Sequence, residues 1–182
     1  MGEIKVGIIG AGIMGAGHAR YITNDVKGAR VAALADMDTA RIEALGKEIG
    51  GDVELYGDAE EFFAKANVDA FIIASPDALH VAHIRLAMQR GLPTLCEKPI
   101  ATNIEDARAI AKEIADFQTA QGKTLFHFGF MRRFDPAYLE VRELIESGDY
   151  GKPLFIRTIT RNTKTPGITT AGMLTNMVVH EF

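Results

Sequence analysis

The stretch Ile4-Lys5-Val6-Gly7-Ile8-Ile9-Gly10-Ala11-Gly12-Ile13-Met14-Gly15 decides the fold. Ile4, Val6, Ile8 and Ile9 make its first six residues an apolar, β-branched run, as a strand buried on both faces requires. Three glycines follow in the spacing G-x-G-x-x-G, and a helical stretch runs on from about Gly12 to Thr23. Strand, glycine turn and helix together give the motif its meaning. Gly10 permits the tight turn, Gly12 admits a pyrophosphate against bare backbone, and Gly15 lets helix and strand pack closely. The helix N-terminus then offers free N–H groups to the anion. Ile13 and Met14, at the crest of the turn, are placed beside the same ligand.

Outward from this loop, apolar runs alternate with helical patterns. Further strands are expected at 29–35, 53–56, 69–74, 93–97 and 124–130. Helices begin at the capping residues Asp38, Asp58 and Asn103 and at Asp77, and glycines at 91 and 122 close two of them. Six strands alternating with helices predict an α/β fold, a doubly wound parallel sheet of the Rossmann type. Beyond it, a helix from Pro136 to Ile145 is closed by Gly148. A seventh strand is expected at 154–160 and a helix from Gly172 onward. These last elements begin an α+β substrate domain, so residues 1–131 are assigned to the nucleotide-binding domain and 132–182 to the incomplete start of the second.

Asp36 ends the second strand about 20 residues past the last glycine, where a carboxylate accepts hydrogen bonds from the ribose hydroxyls of the cofactor. It would repel a 2′-phosphate, and Met37, Asp38 and Thr39 follow it without a cation. Both features favour NAD.

The remaining composition excludes more than it assigns. The 20 basic and 24 acidic residues give a net charge of −4, scattered along the chain, so no nucleic-acid footprint is present. No apolar run is long enough to cross a bilayer. Cys96, the single cysteine, fits a reducing cytoplasm and a small buried position. No metal site is expected: His80 and His83 are three apart, without a cysteine or carboxylate partner.

Ser75-Pro76-Asp77 with His80, and Glu97-Lys98-Pro99 at the end of the fifth strand, resemble the Gfo/Idh/MocA family of dehydrogenases. Gly129-Phe130-Met131-Arg132-Arg133-Phe134-Asp135 is similar to its inositol 2-dehydrogenase branch. The physics of Lys98 stands beside the resemblance, because ligands of open α/β sheets lie at the carboxyl ends of strands. The resemblance implies NAD as cofactor, held by the glycine loop, Asp36, Ser75, Pro76, His80, Glu97 and Lys98. It also implies a Lys98–Pro99 peptide that is usually cis, and a reaction that oxidises a ring hydroxyl of a cyclic polyol, myo-inositol, to the ketone. Lys98, with Arg132, Asn176 and His180, is implied at the substrate. Asn176 and His180 share a helix face, where inositol dehydrogenases usually carry Asp and His, the His serving as acid and base. Asn176 can still hydrogen-bond the ring but brings no charge.

Family members are roughly twice as long, so the chain reads as C-terminally truncated: a fragment, the product of a shortened gene, or an incompletely recorded sequence. Strand 154–160 would then lack sheet partners and expose apolar surface. Three functions follow: an inositol 2-dehydrogenase, a family dehydrogenase for another sugar or polyol, and an NAD-binding module without catalysis. A homo-oligomer, dimer or tetramer, is implied where the substrate domain is whole.

Overall fold

Six strands form one parallel sheet: β1 (Ile4–Ile9), β2 (Ala29–Ala35), β3 (Glu54–Tyr56), β4 (Ala70–Ile73), β5 (Thr94–Cys96) and β6 (Phe126–Phe128). The computed structural model describes residues 2–159. Strand order is β3-β2-β1-β4-β5-β6, the doubly wound order in which winding reverses between β1 and β4. Five helices cover the sheet: α1 (Ile13–Asp25), α2 (Thr39–Ile49), α3 (Ala59–Lys65), α4 (His80–Arg90) and α5 (Ile104–Gln121). The expected strands and helices of this part are all present. A 3₁₀ turn at Asp77–Leu79 takes the place of the first turn expected for α4.

Strand alternation divides the core into two layers. On β4, Phe71 and Ile73 enter one layer and Ile72 the other. The first layer packs against α3, α4 and α5 through Phe62, Ile84 and Ile110; the second packs against α1 and α2 through Ala19 and Ile42. Phe62, Phe63 and Phe71 meet edge to face at 4.9–5.5 Å between centroids, the arrangement aromatic quadrupoles favour. Cys96 is fully buried there, and burial pushes its thiol up to about 12.

The helix starts are those the caps dictate. Asp38, Asp58 and Asn103 each accept a hydrogen bond from a backbone N–H three residues on. Gly91 and Gly122 close α4 and α5 with left-handed backbone. The end of α3 is satisfied from a distance: Arg90 donates to the carbonyls of Phe63, Ala64 and Ala66 at 2.6, 2.8 and 3.2 Å.

The chain divides into two compact units between Phe128 and Gly129. In the second, α6 (Pro136–Ser147) is capped by Asp135 and starts on Pro136. The seventh strand expected at 154–160 is not formed within 151–159, which carry no regular element. Among the described residues the second unit contains no strand to complete its hydrogen bonds. Leu154, Phe155 and Ile156 are 98%, 82% and 74% exposed. The helix expected from Gly172 lies outside the described residues.

Candidate functional site

The carboxyl ends of β1, β2, β4 and β5 bring the predicted site residues of the first unit to one edge of the sheet. At β1, Gly10 adopts φ +92° and its N–H donates to Ala35 O at 2.8 Å. A Cβ there would collide with the Ala74 backbone, and one on Gly15 would overlap the Gly10 carbonyl oxygen. Those two glycines are required by the fold. Gly12 is different: its φ is −70° and a Cβ would meet nothing within 4 Å. Any residue fits Gly12 until a group is laid against the backbone. That open cradle, at the N-terminus of the 13-residue α1, fits a pyrophosphate. Beside it, Ile13 is 93% exposed, and Met14 is also exposed, leaving apolar surface at the crest of the loop.

Asp36, at the end of β2, touches the glycine loop. Its carboxylate accepts from the Ala11 N–H at 2.8 Å and from the Asp38 N–H at 3.0 Å. The Arg41 guanidinium lies 3.6 Å from Asp36 Oδ2 and 3.2 Å from Asp38 Oδ2. Sequence order hid this cation, because it arrives in the first turn of α2 and not directly after Asp36. It is shared between two carboxylates.

At the end of β4, Ser75 is buried and held twice. Its Oγ is joined to His83 Nδ1 at 2.8 Å, and its carbonyl oxygen lies 2.9 Å from His80 Nε2. His80 Nδ1 lies 2.7 Å from the Pro99 carbonyl oxygen. His80 is 1% exposed, and both its ring nitrogens face backbone carbonyls. His83 is held neutral: burial, with the nearby His80 adding to it, lowers its pKa to about 4.

At the end of β5, Lys98 is half-buried and the Lys98–Pro99 peptide is cis, as the resemblance implied. Glu97 is buried and accepts from His18 Nε2 of α1 at 2.8 Å. Burial raises the Glu97 carboxyl, but the hydrogen bond and charge of His18, with the backbone N–H and charge of Lys98, outweigh it and hold the group below the ordinary carboxylate range. His18 carried no signal in the sequence reading. The spacing Gly15-x-x-His18, one turn along the phosphate helix, was the cue available.

Arg132 lies in the second unit, where it donates to the Tyr138 hydroxyl at 2.5 Å and stacks 5.2 Å from that ring. Asn176 and His180 lie outside the described residues. Among the described residues, no group of three His, Cys, Asp or Glu side chains could hold a metal, and no helix is long and apolar enough to cross a membrane.

A doubly wound sheet with an open glycine cradle, a carboxylate at the end of β2 and a lysine at the end of β5 defines a dinucleotide-binding oxidoreductase fold. The model for the oxidoreductase family with an NAD-binding Rossmann fold matches residues 4–123, and the chain belongs to that family, Gfo/Idh/MocA. It is 38% identical over 181 residues to inositol 2-dehydrogenase 1 of Saccharopolyspora erythraea, covering 98% of this chain and 52% of that protein. Among solved structures, it is similar to myo-inositol dehydrogenase from Lactobacillus casei in complex with NAD(H) and myo-inositol. That match has a TM-score of 0.77 and 32% identity, over 84% of this chain and 44% of the other. The scyllo-inositol dehydrogenase of the same organism, with NAD(H) and scyllo-inositol, matches with a TM-score of 0.74 and 32% identity, over 82% and 42%. The chain thus spans about half the length of the curated relatives it matches.

Proposed function

We propose that this chain is the cofactor-binding part of an NAD-dependent dehydrogenase that oxidises a ring hydroxyl of a cyclic polyol, myo-inositol, to the ketone. NAD, when bound, supplies the hydride acceptor for this oxidation. The glycine loop receives the pyrophosphate at Gly12, Asp36 selects the ribose diol, and Ser75, Pro76 and Glu97 line the crevice. Lys98 binds the substrate hydroxyl and holds its proton. Arg132, Asn176 and His180 complete the substrate side, with His180 as acid and base and Asn176 bonded to its ring. The observation that carries this reading is the alignment of the open Gly12 cradle and the Glu97-Lys98-Pro99 turn on one sheet edge, cross-linked by His18 and Glu97.

The domain assignment belongs to the same proposal: residues 1–131 bind cofactor and 132–182 begin the substrate domain. So do a cytoplasmic location and a dimer or tetramer once the length present in the relatives is joined to it. Reduction of NAD with myo-inositol, followed at the nicotinamide absorbance for the wild type and Lys98→Ala, tests the activity. Turnover that is lost in Lys98→Ala supports it. Equal turnover in both removes Lys98 from the chemistry. The same assay with scyllo-inositol and other sugars separates the polyols, since a family dehydrogenase for another substrate is the alternative. A second reading is an NAD-binding module without catalysis. Binding of NAD without turnover of any polyol would select it.

A further inference from the structure

Lys98 sits between two residues that are each tied to a different helix. On one side, Glu97 accepts from His18 of α1, the helix that follows the glycine loop. On the other, Pro99 presents its carbonyl to His80 Nδ1 of α4, and the second nitrogen of that ring reaches the Ser75 carbonyl at the end of β4. His80 and Glu97 are both buried, and His18 is largely so, at 24% side-chain exposure. A carbonyl oxygen only accepts, so the His80 ring donates from the nitrogen that carries the proton to the carbonyl that nitrogen faces. No local rule produces these contacts, since His18 and Glu97 are 79 residues apart and His80 and Pro99 are 19 apart.

We infer that His18 and His80 are positioning residues, a two-sided clasp that fixes the backbone on either side of Lys98 relative to the glycine loop and the β4 turn. Neither ring needs to touch substrate. A reacting group must be held within about 0.5 Å of its productive place, and a lysine carried on a turn has no such restraint from strand or helix. The clasp supplies it from two helices. His18 ties Lys98 to the element that receives the pyrophosphate, and His80 ties it to the strand end across the switch point. The inference rests on the dehydrogenase reading only in giving Lys98 a task; the clasp itself is a property of the chain without cofactor.

The test is competitive acylation of the whole chain with a trace of acetic anhydride, read residue by residue by mass spectrometry, for wild type, His18→Gln and His80→Gln. Lys65 and Lys112, exposed on α3 and α5, are internal references. A clasp predicts that the Lys98 rate changes about fivefold in each variant, the size one lost hydrogen bond produces, while Lys65 and Lys112 keep their rates. General loosening would move all three lysines together and overturns the inference. An unchanged Lys98 in both variants also overturns it. A change in only one variant assigns the restraint to that histidine and overturns the two-sided clasp. His80 is deep in the core, so His80→Asn, a smaller amide, takes its place if His80→Gln does not fold, and both sides of the clasp are still read. NAD binding, titrated separately on the wild type, judges the dehydrogenase reading without bearing on the lysine rates.

Discussion

Gly12→Ala and Gly15→Ala should separate the two reasons a glycine loop contains glycine. A Cβ on Gly15 would lie inside the 3.0 Å that real Cβ atoms keep, against the Gly10 carbonyl oxygen. The colliding atom is backbone in the loop itself, so helix α1 must move off β1. Overpacking of this kind costs about 3 kcal/mol or more, or about 12 °C of melting temperature for a unit this size. A Cβ on Gly12 meets nothing, and φ −70° suits alanine. Reduced freedom of the unfolded chain contributes about 0.4–1 kcal/mol, offset by a similar loss at a helix cap, where alanine is poorer than glycine. The melting temperature of Gly12→Ala without cofactor should therefore stay within a few degrees of wild type. With NAD the order changes. At about 100 times its dissociation constant, NAD stabilises the wild type by about 2.7 kcal/mol. A methyl group driven into the pyrophosphate contact costs about 1–3 kcal/mol of affinity, which cuts that stabilisation to roughly 1 kcal/mol. Thermal melts with and without NAD read both quantities. If Gly12→Ala melts well below wild type without NAD, or keeps the full cofactor shift, the cradle does not serve a pyrophosphate.

Three further outcomes follow. His83 is depressed to about 4 from 6.5 in the unfolded chain, so its contribution is complete above pH 6.5 and is lost as pH falls through 4, by about 3 kcal/mol. Denaturant melts from pH 7 to 4 should show that loss, and His83→Gln should flatten it; an equal slope in the variant would exclude His83 as its source. Asp36→Ala removes both the Ala11 tether and one carboxylate from Arg41, so titrations should show weaker NAD binding and stronger NADP binding, the latter by about tenfold; unchanged preference would take Asp36 out of ribose recognition. Arg90→Lys cannot serve the three carbonyls that end α3, and chemical denaturation should show a loss of about 1–3 kcal/mol; a loss below about 0.5 kcal/mol would mean water replaces the guanidinium.

The elements of the nucleotide-binding sheet were legible because each is written locally. Val6–Ile9 is free of polar side chains because both its faces are covered, and Asp38, Asp58 and Asn103 announce helices through bonds to a backbone three residues away. Boundaries drifted where the tertiary setting trimmed an element, as in β6, which keeps only Phe126–Phe128 of an apolar run twice that length. The strand expected at 154–160 failed for a related reason. An apolar β-branched run states a preference, while a strand needs a neighbour's carbonyls, and the described residues of the second unit supply none.

The candidate site was legible only as far as each residue's position along its own strand. Asp36, Ser75 and Lys98 could be placed at strand ends because winding order puts those ends on one edge. Their mutual bonds could not. Whether His80 would face a ligand or the core depended on where Pro99 and Ser75 turn their carbonyls, which is set by two loops folded against α4. The consequence is functional. A histidine whose two ring nitrogens face backbone carbonyls has a place between Ser75 and Lys98-Pro99 that is explained by what it holds still. His18 leads to the same conclusion from the opposite side of the crevice, and Lys98 is the side chain the two have in common.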